Sequence, residues 1–251
     1  MEPNLLVLGG TTEATALCRA LAKAGLRGTI SFAGRVARPV RQPLPQRIGG
    51  FGGAAGLSQY LRDTSTTHVI DATHPFAAQM SRNAVTACAE ARVPLAALTR
   101  APWNPQPDDR WTEVPDIAGA VAALDRPAEC VMLAIGRMNL PAFAPQPQHS
   151  YLLRLVDPPE TAPPFPDHHV VVDRGPFSVA GDLALMRDHR ISLVVSKNSG
   201  GTGAYAKIVA ARKLGVPVIM IARPALPHRA ELHDTAAVLD WIAHASTDLG
   251  V

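Results

Sequence analysis

The chain has 251 residues, 47% of them hydrophobic and 18% charged, with a formal net charge of +3. That length supports one large domain or two small ones with separate cores. No apolar run reaches the roughly 18 residues needed to cross a bilayer and no basic leader precedes Asn4, so a soluble, cytoplasmic protein without membrane contact is expected.

From the N-terminus the pattern alternates strand and helix. Leu5–Leu8 is a short apolar run, as expected of a parallel strand buried on both faces. Gly9 and Gly10 then permit a tight turn and close ligand approach. A helix follows over Thr12–Ala24, capped by Thr11 or Thr12, and its first N–H groups suit a phosphate. The spacing is not the full G-x-G-x-x-G, because Thr12 and Ala14 stand where further glycines belong. A second strand, Thr29–Ala33, leads into Gly34 and Arg35, with Arg38, Arg41 and Arg47 beyond. No acid stands here to bind a ribose 2′-hydroxyl, whereas Ser31 and Arg35 suit a 2′-phosphate, which favours NADP over NAD. The cluster Gly49–Gly53 reads equally as a ligand turn or a flexible helix entry. A helix is expected over Ala54–Arg62.

The strand His68–Asp71 ends in Thr73, His74 and Pro75, with Phe76–Ala91 read as the helix that Pro75 starts. His74 thereby stands at a strand end, able to donate a proton or a hydrogen bond. Leu95–Leu98 is a further strand. Proline density from Arg100 to Asp109 marks a boundary, giving expected domains of 1–105 and 106–251. In the second, the helices Ile117–Leu124, Val179–His189, Ala204–Leu214 and Thr235–Ala245 alternate with the strands Cys130–Ile135, Tyr151–Leu155, Leu193–Ser196 and Val216–Ile221. A proline-rich stretch, 157–167, reads as a surface loop. Gly25 and Gly215 fall just past helix ends, where a left-handed cap belongs. Gly136 and Arg137 follow a strand, which points to an anion contact. The run Ser196–Gly203, with Lys197 inside it and Lys207 on the next helix, has the makings of an anion nest.

The fold class that follows is α/β: two Rossmann-like lobes with mainly parallel sheets and a cofactor cleft between them. Arginine supplies all but four of the 24 basic residues, the lysines being Lys23, Lys197, Lys207 and Lys213. Guanidinium forks hold carboxylates and phosphates, so an acidic small molecule is the expected partner. With aromatics at 5%, nucleic acid is not. Cys18, Cys88 and Cys130 read as buried thiols, and no metal site is expected. His168 and His169 lack a third ligand at metal spacing.

An ordered set of motifs resembles the precorrin-6A reductases of cobalamin biosynthesis. It comprises Leu8-Gly-Gly-Thr-Thr-Glu13, Ser31-Phe-Ala-Gly-Arg35, Asp71-Ala-Thr-His-Pro-Phe-Ala77, Arg100-Ala-Pro-Trp103, Gly136-Arg137, Gly175-Pro-Phe177, Ser196-Lys-Asn-Ser-Gly-Gly201, Leu214-Gly-Val-Pro217 and Ile221-Ala-Arg-Pro224. The resemblance implies NADPH-dependent reduction of one ring double bond in a polycarboxylate tetrapyrrole, giving precorrin-6B. It implies that Gly9, Gly10, Thr11, Thr12 and Glu13 hold the cofactor pyrophosphate. Ser31, Gly34 and Arg35 would meet the 2′-phosphate. Thr73, His74, Pro75 and Phe76 would line the nicotinamide. Gly136, Arg137, Lys197, Ser199, Gly200 and Gly201 would face substrate, with Lys207 adding charge. His74 and Lys197 are the candidate acids, beside solvent, for the proton that accompanies hydride. Two other readings fit the same residues: an NADP-dependent reductase or epimerase of another small anion, against which the missing Tyr-x-x-x-Lys dyad counts, and a non-catalytic NADPH sensor.

Overall fold

The structure is a computed structural model that describes residues 2–34 and 41–245. Its strands, in chain order, are β1 (Asn4–Leu8), β2 (Arg27–Phe32), β3 (Gln46–Ile48), β4 (His68–Asp71), β5 (Leu95–Leu98), β6 (Trp111–Val114), β7 (Cys130–Ala134), β8 (Ser150–Leu155), β9 (His168–Val172), β10 (Leu193–Lys197), β11 (Val218–Ile221) and β12 (Ala230–Leu232). The helices are α1 (Thr12–Lys23), α2 (Gly53–Asp63), α3 (Ala78–Ala91), α4 (Ile117–Ala122), α5 (Val179–Asp188), α6 (Ala206–Leu214) and α7 (Thr235–Ala245). Two six-stranded sheets result, ordered β12-β5-β4-β1-β2-β3 and β6-β11-β10-β7-β8-β9. Every strand pairing is parallel. None of the helices is long and apolar enough to cross a membrane, among the described residues.

Residues up to Arg100 and from Ala225 onward form one unit, and Ala101–Pro224 the other. The expected division at 105/106 is therefore corrected at its far end. The chain returns to the first unit because β12 pairs with β5 in register Ala230↔Ala96 to Leu232↔Leu98. Val238 and Ile242 of α7 join Leu17 and Leu21 of α1 in the same core.

In β1 alternate side chains serve opposite faces, as a strand's period of two requires. Leu5 and Val7 pack toward α1 and α7 with Ile30 and Ile70. Leu6 and Leu8 pack toward Leu57 and Leu61 of α2 and Ala84 and Ala87 of α3. In the second unit Met132, Leu152, Val194 and Met220 meet Met186 of α5 and Ile208 of α6. Cys18 and Cys88 are buried, and burial pushes the Cys18 thiol up to about 11. Gly215 caps α6 in the left-handed conformation.

Some expected boundaries shift. The helix read from Phe76 begins at Ala78: the Phe76 N–H goes to His74 Nδ1 at 3.2 Å and the Ala77 N–H to His74 O at 2.7 Å, so Pro75 and Phe76 form a separate turn. The stretch after Gly136 is a 3₁₀ segment, Arg137–Phe143, with Pro141 inside it. Proline removes a donor and crowds the preceding turn, which disfavours an α-helix there.

Candidate functional site

In an open parallel sheet, ligands bind beyond the carboxyl ends of the strands where strand order reverses. The first sheet reverses between β1 and β4, the second between β7 and β10. Each reversal is flanked by two of the loops singled out from the sequence.

At the β1/β4 reversal, Thr11 is the N-cap of α1: its Oγ1 accepts the Ala14 N–H at 3.1 Å and donates to Ala72 O at 2.8 Å. One hydroxyl thus caps the helix and ties the β1 loop to the β4 loop. The N–H groups of Gly10, Thr12 and Glu13 meet no acceptor among the described residues. Gly10 has φ +128, a conformation closed to side chains, and a Cβ there would meet nothing within 4 Å. This loop is an open amide surface at a helix N-terminus, where the macrodipole favours an anion. Glu13 lies in the same turn, and its charge is balanced by Arg100 at 3.2 Å.

Ser31 is buried at the end of β2, and its partner across β3 is Arg47. The Arg47 guanidinium donates to Ser31 Oγ at 3.1 Å, to Gly49 O at 2.7 Å and to Gly50 O at 2.7 Å. It stacks 3.7 Å above the Phe51 ring. The Gly49–Gly53 cluster, ambiguous in sequence, supplies carbonyls that hold this cation. Gly34 is exposed just beyond β2, and Arg35 and Arg38 lie outside the described residues. Sequence reasoning named Arg47 without a role, because its link to Ser31 needs the register of a strand it did not find.

Asp71 closes β4 at 2% exposure. Its Oδ1 accepts from Thr73 N at 3.1 Å and Thr73 Oγ1 at 2.6 Å; its Oδ2 accepts from Ser81 Oγ at 2.6 Å and from Arg229. Thr73 is thereby committed to shaping the loop. Burial, and then the Asp71 carboxylate, push the Cys88 thiol up to about 12. His74 is exposed beside Phe76, ring centroids 5.8 Å apart. Because its Nδ1 accepts the Phe76 N–H, neutral His74 carries its proton on Nε2.

At the β7/β10 reversal, Arg137 is half exposed and pairs with Glu160 at 3.5 Å. Lys197 ends β10, half-buried. The loop beyond it is held by its carbonyls. Trp103 Nε1 donates to Gly201 O at 2.7 Å, Arg223 Nε to Asn198 O at 3.0 Å, and an Arg223 amino group to Ser199 O at 3.1 Å. Asn198 and Trp103 exchange two further bonds, Trp103 N to Asn198 Oδ1 at 2.8 Å and Asn198 Nδ2 to Trp103 O at 2.9 Å. Gly200 has φ +68, and a Cβ on it would run into Ala101 O and Arg223. With the carbonyls turned to Trp103 and Arg223, the N–H groups of Gly201, Thr202 and Gly203 have no acceptor among the described residues. Ser199 and Gly200 are buried, and Gly201 is half-buried.

Lys207 differs from its expected place. Its residue is 3% exposed, and its ammonium donates to Ala204 O at 2.8 Å and lies 5.0 Å from the Trp103 ring centroid. Helical spacing turns it inward, so it does not face a ligand as expected. Desolvation, with Arg154 adding to it and Asp182 opposing, lowers the Lys207 ammonium to about 7. Trp103, Arg223 and Arg229 were not read as site residues. The only sequence sign of Trp103 was its place in Arg100-Ala-Pro-Trp103.

The sequence matches the precorrin-6x reductase CbiJ/CobK family over residues 4–243. It is 57% identical to the precorrin-6A reductase of Rhodobacter capsulatus over 249 residues, covering 99% of each chain. It is 48% identical to the precorrin-6A reductase of a Sinorhizobium species over 223 residues, covering 88% of this chain and 85% of that one. A solved structure described as CobK precorrin-6A reductase superposes with a TM-score of 0.93 at 57% identity, covering 97% of both chains.

Proposed function

The chain belongs to the precorrin-6x reductase CbiJ/CobK family, and from that premise we propose that it reduces a ring double bond of precorrin-6A to give precorrin-6B, with NADPH as reductant. Neither an epimerase nor a non-catalytic sensor is favoured by the relatives, which are named as reductases.

The observation that carries the cofactor side is the β1/β4 reversal. The Gly10 cradle and the amides of Gly10, Thr12 and Glu13 fit a pyrophosphate. Thr11 holds the loop in shape. Ser31 and Arg47, side by side, fit a 2′-phosphate: the serine is a donor and the arginine a fixed charge. Arg35 and Gly34 are the further contacts carried over from the sequence. Bound there, the cofactor supplies hydride, and the residues have the tasks of orientation and water exclusion.

Thr73, His74, Pro75 and Phe76 form the loop assigned to the nicotinamide end. Asp71 fixes it through Thr73, and the His74–Phe76 contact sets its outer turn. Reduction of the double bond also requires a proton at the neighbouring carbon. His74 is one candidate donor: with Nδ1 accepting the Phe76 N–H, the neutral ring carries its proton on Nε2. Lys197 is the second candidate. In the other unit, Arg137, Lys197 and the amides after Gly200 are assigned to substrate carboxylates, which guanidinium, ammonium and oriented N–H groups all stabilise.

The test is anaerobic mixing of protein, NADPH and precorrin-6A, following both chromophores. NADPH oxidation in step with a change in the macrocycle spectrum supports the assignment. Binding of NADPH without turnover, where a known family member turns over, opposes it.

A further inference from the structure

Between α6 and the segment after Arg100 lies a cluster that the proposed reaction does not use. Among the described residues, buried Lys207 has one hydrogen bond, to Ala204 O, with the face of Trp103 beside it. Trp103 also touches Tyr205, ring centroids 5.4 Å apart. The same Trp103 makes three of the bonds that hold residues 198–201. Ala204 O, the acceptor for Lys207, lies at the far end of that loop, where Gly203 O receives the Phe177 N–H at 3.3 Å. Phe177 in turn carries the Arg154 guanidinium 3.8 Å above its ring, and Arg154 pairs with buried Asp182. The ammonium therefore pins both ends of one glycine-rich loop, one directly and one through an indole.

We propose that Lys207 and Trp103 are positioning residues: the buried ammonium, held between the Trp103 ring and Ala204 O, sets the curvature of the 198–203 loop so that its Gly201–Gly203 amides converge on a substrate carboxylate. This rests on the assignment of that loop to substrate. A burial-driven core would put methionine or leucine at an inward α6 position, and a buried charge costs stability. What a lysine adds is a directed donor and a cation for the indole.

The groups that face Lys207 set when this holds. Arg154 on β8 pushes its proton off and Asp182 on α5 retains it, against desolvation, which dominates. The clamp is therefore formed below about pH 7 and relaxes as pH rises through that value.

The experiment uses the full chain and compares wild type, Lys207→Met and Trp103→Phe by amide exchange of the 198–203 peptide. It adds the Kd for NADPH and the kcat and KM for precorrin-6A on either side of pH 7. Both variants are expected to exchange faster in the loop and to raise KM roughly 10-fold, as for loss of about one hydrogen bond, with kcat and NADPH affinity close to wild type. Wild-type KM rises as pH passes 7 and that of Lys207→Met does not. Native exchange in both variants with native KM would overturn the clamp. Faster exchange with unchanged KM would overturn the proposal at its base, by removing the loop from the substrate site. Should Lys207→Met fail to fold, Trp103→Phe and the wild-type pH profile decide the matter alone.

Discussion

Replacing Asp71 by asparagine removes one of two carboxylate oxygens that together accept four hydrogen bonds. An asparagine that keeps Thr73 turns its amide N–H₂ toward Ser81 and Arg229, both donors. The Arg229 side chain is 7% exposed and Asp71 is its close counterion. Glu231 is the other acid near it, at 3.9 Å. Breaking a buried pair from one side leaves an uncompensated charge and costs about 3–5 kcal/mol. That is a large part of the roughly 5–15 kcal/mol by which a domain is stable. Urea unfolding followed by far-UV circular dichroism measures it. Arg229→Met is expected to cost less than Asp71→Asn, and the double variant less than their sum by about 1–3 kcal/mol. A loss below about 1 kcal/mol for Asp71→Asn, the range of a surface pair, would refute the reading of a desolvated latch between β4 and the returning chain.

Arg47→Ala is expected to weaken NADPH binding roughly 10-fold or more, and NADH little, because the contact proposed for it is to the 2′-phosphate; equal weakening of both cofactors would remove that role. For His74→Ala a turnover lower by roughly 100-fold with unchanged unfolding is expected, and unchanged turnover would take His74 out of the mechanism. Lys207→Met should be more stable than wild type by about 1–4 kcal/mol at acid pH. The folded value of Lys207, about 7, lies below the ordinary 10.5. Below about 7 both states carry the charge and the burial cost is fully present. Between the two values the unfolded chain binds more protons, so wild-type stability from this group rises with pH and the advantage of the methionine shrinks. A variant less stable than wild type throughout would contradict this sign.

What the sequence made legible follows burial. The eight strands it placed include every central strand of both sheets, such as Leu5–Leu8 and Leu193–Ser196, whose apolar runs reflect two covered faces. The four it missed are β3, β12, β6 and β9, the outermost strands of the two sheets. Gln46-Arg-Ile48 and Ala230-Glu-Leu232 are three residues long and largely exposed, so they carry no periodic signal. Missing β3 hid the Ser31–Arg47 pair, and missing β12 hid the return of the chain and with it Arg229. The glycine loops at both strand-order reversals were legible, because Gly10 and Gly200 stand where a side chain cannot. Lys207 was misplaced because a charged residue after a glycine-rich loop reads as a ligand contact. Only packing shows that helical phase directs it at Trp103.

The claim of direct hydride transfer to the macrocycle is tested most simply with NADPH carrying deuterium at both C4 positions, in unlabelled water. Mass spectrometry of the product is expected to show a single deuterium gained for each NADPH oxidised. An unlabelled product, or oxidation of NADPH with the macrocycle unchanged, would contradict it.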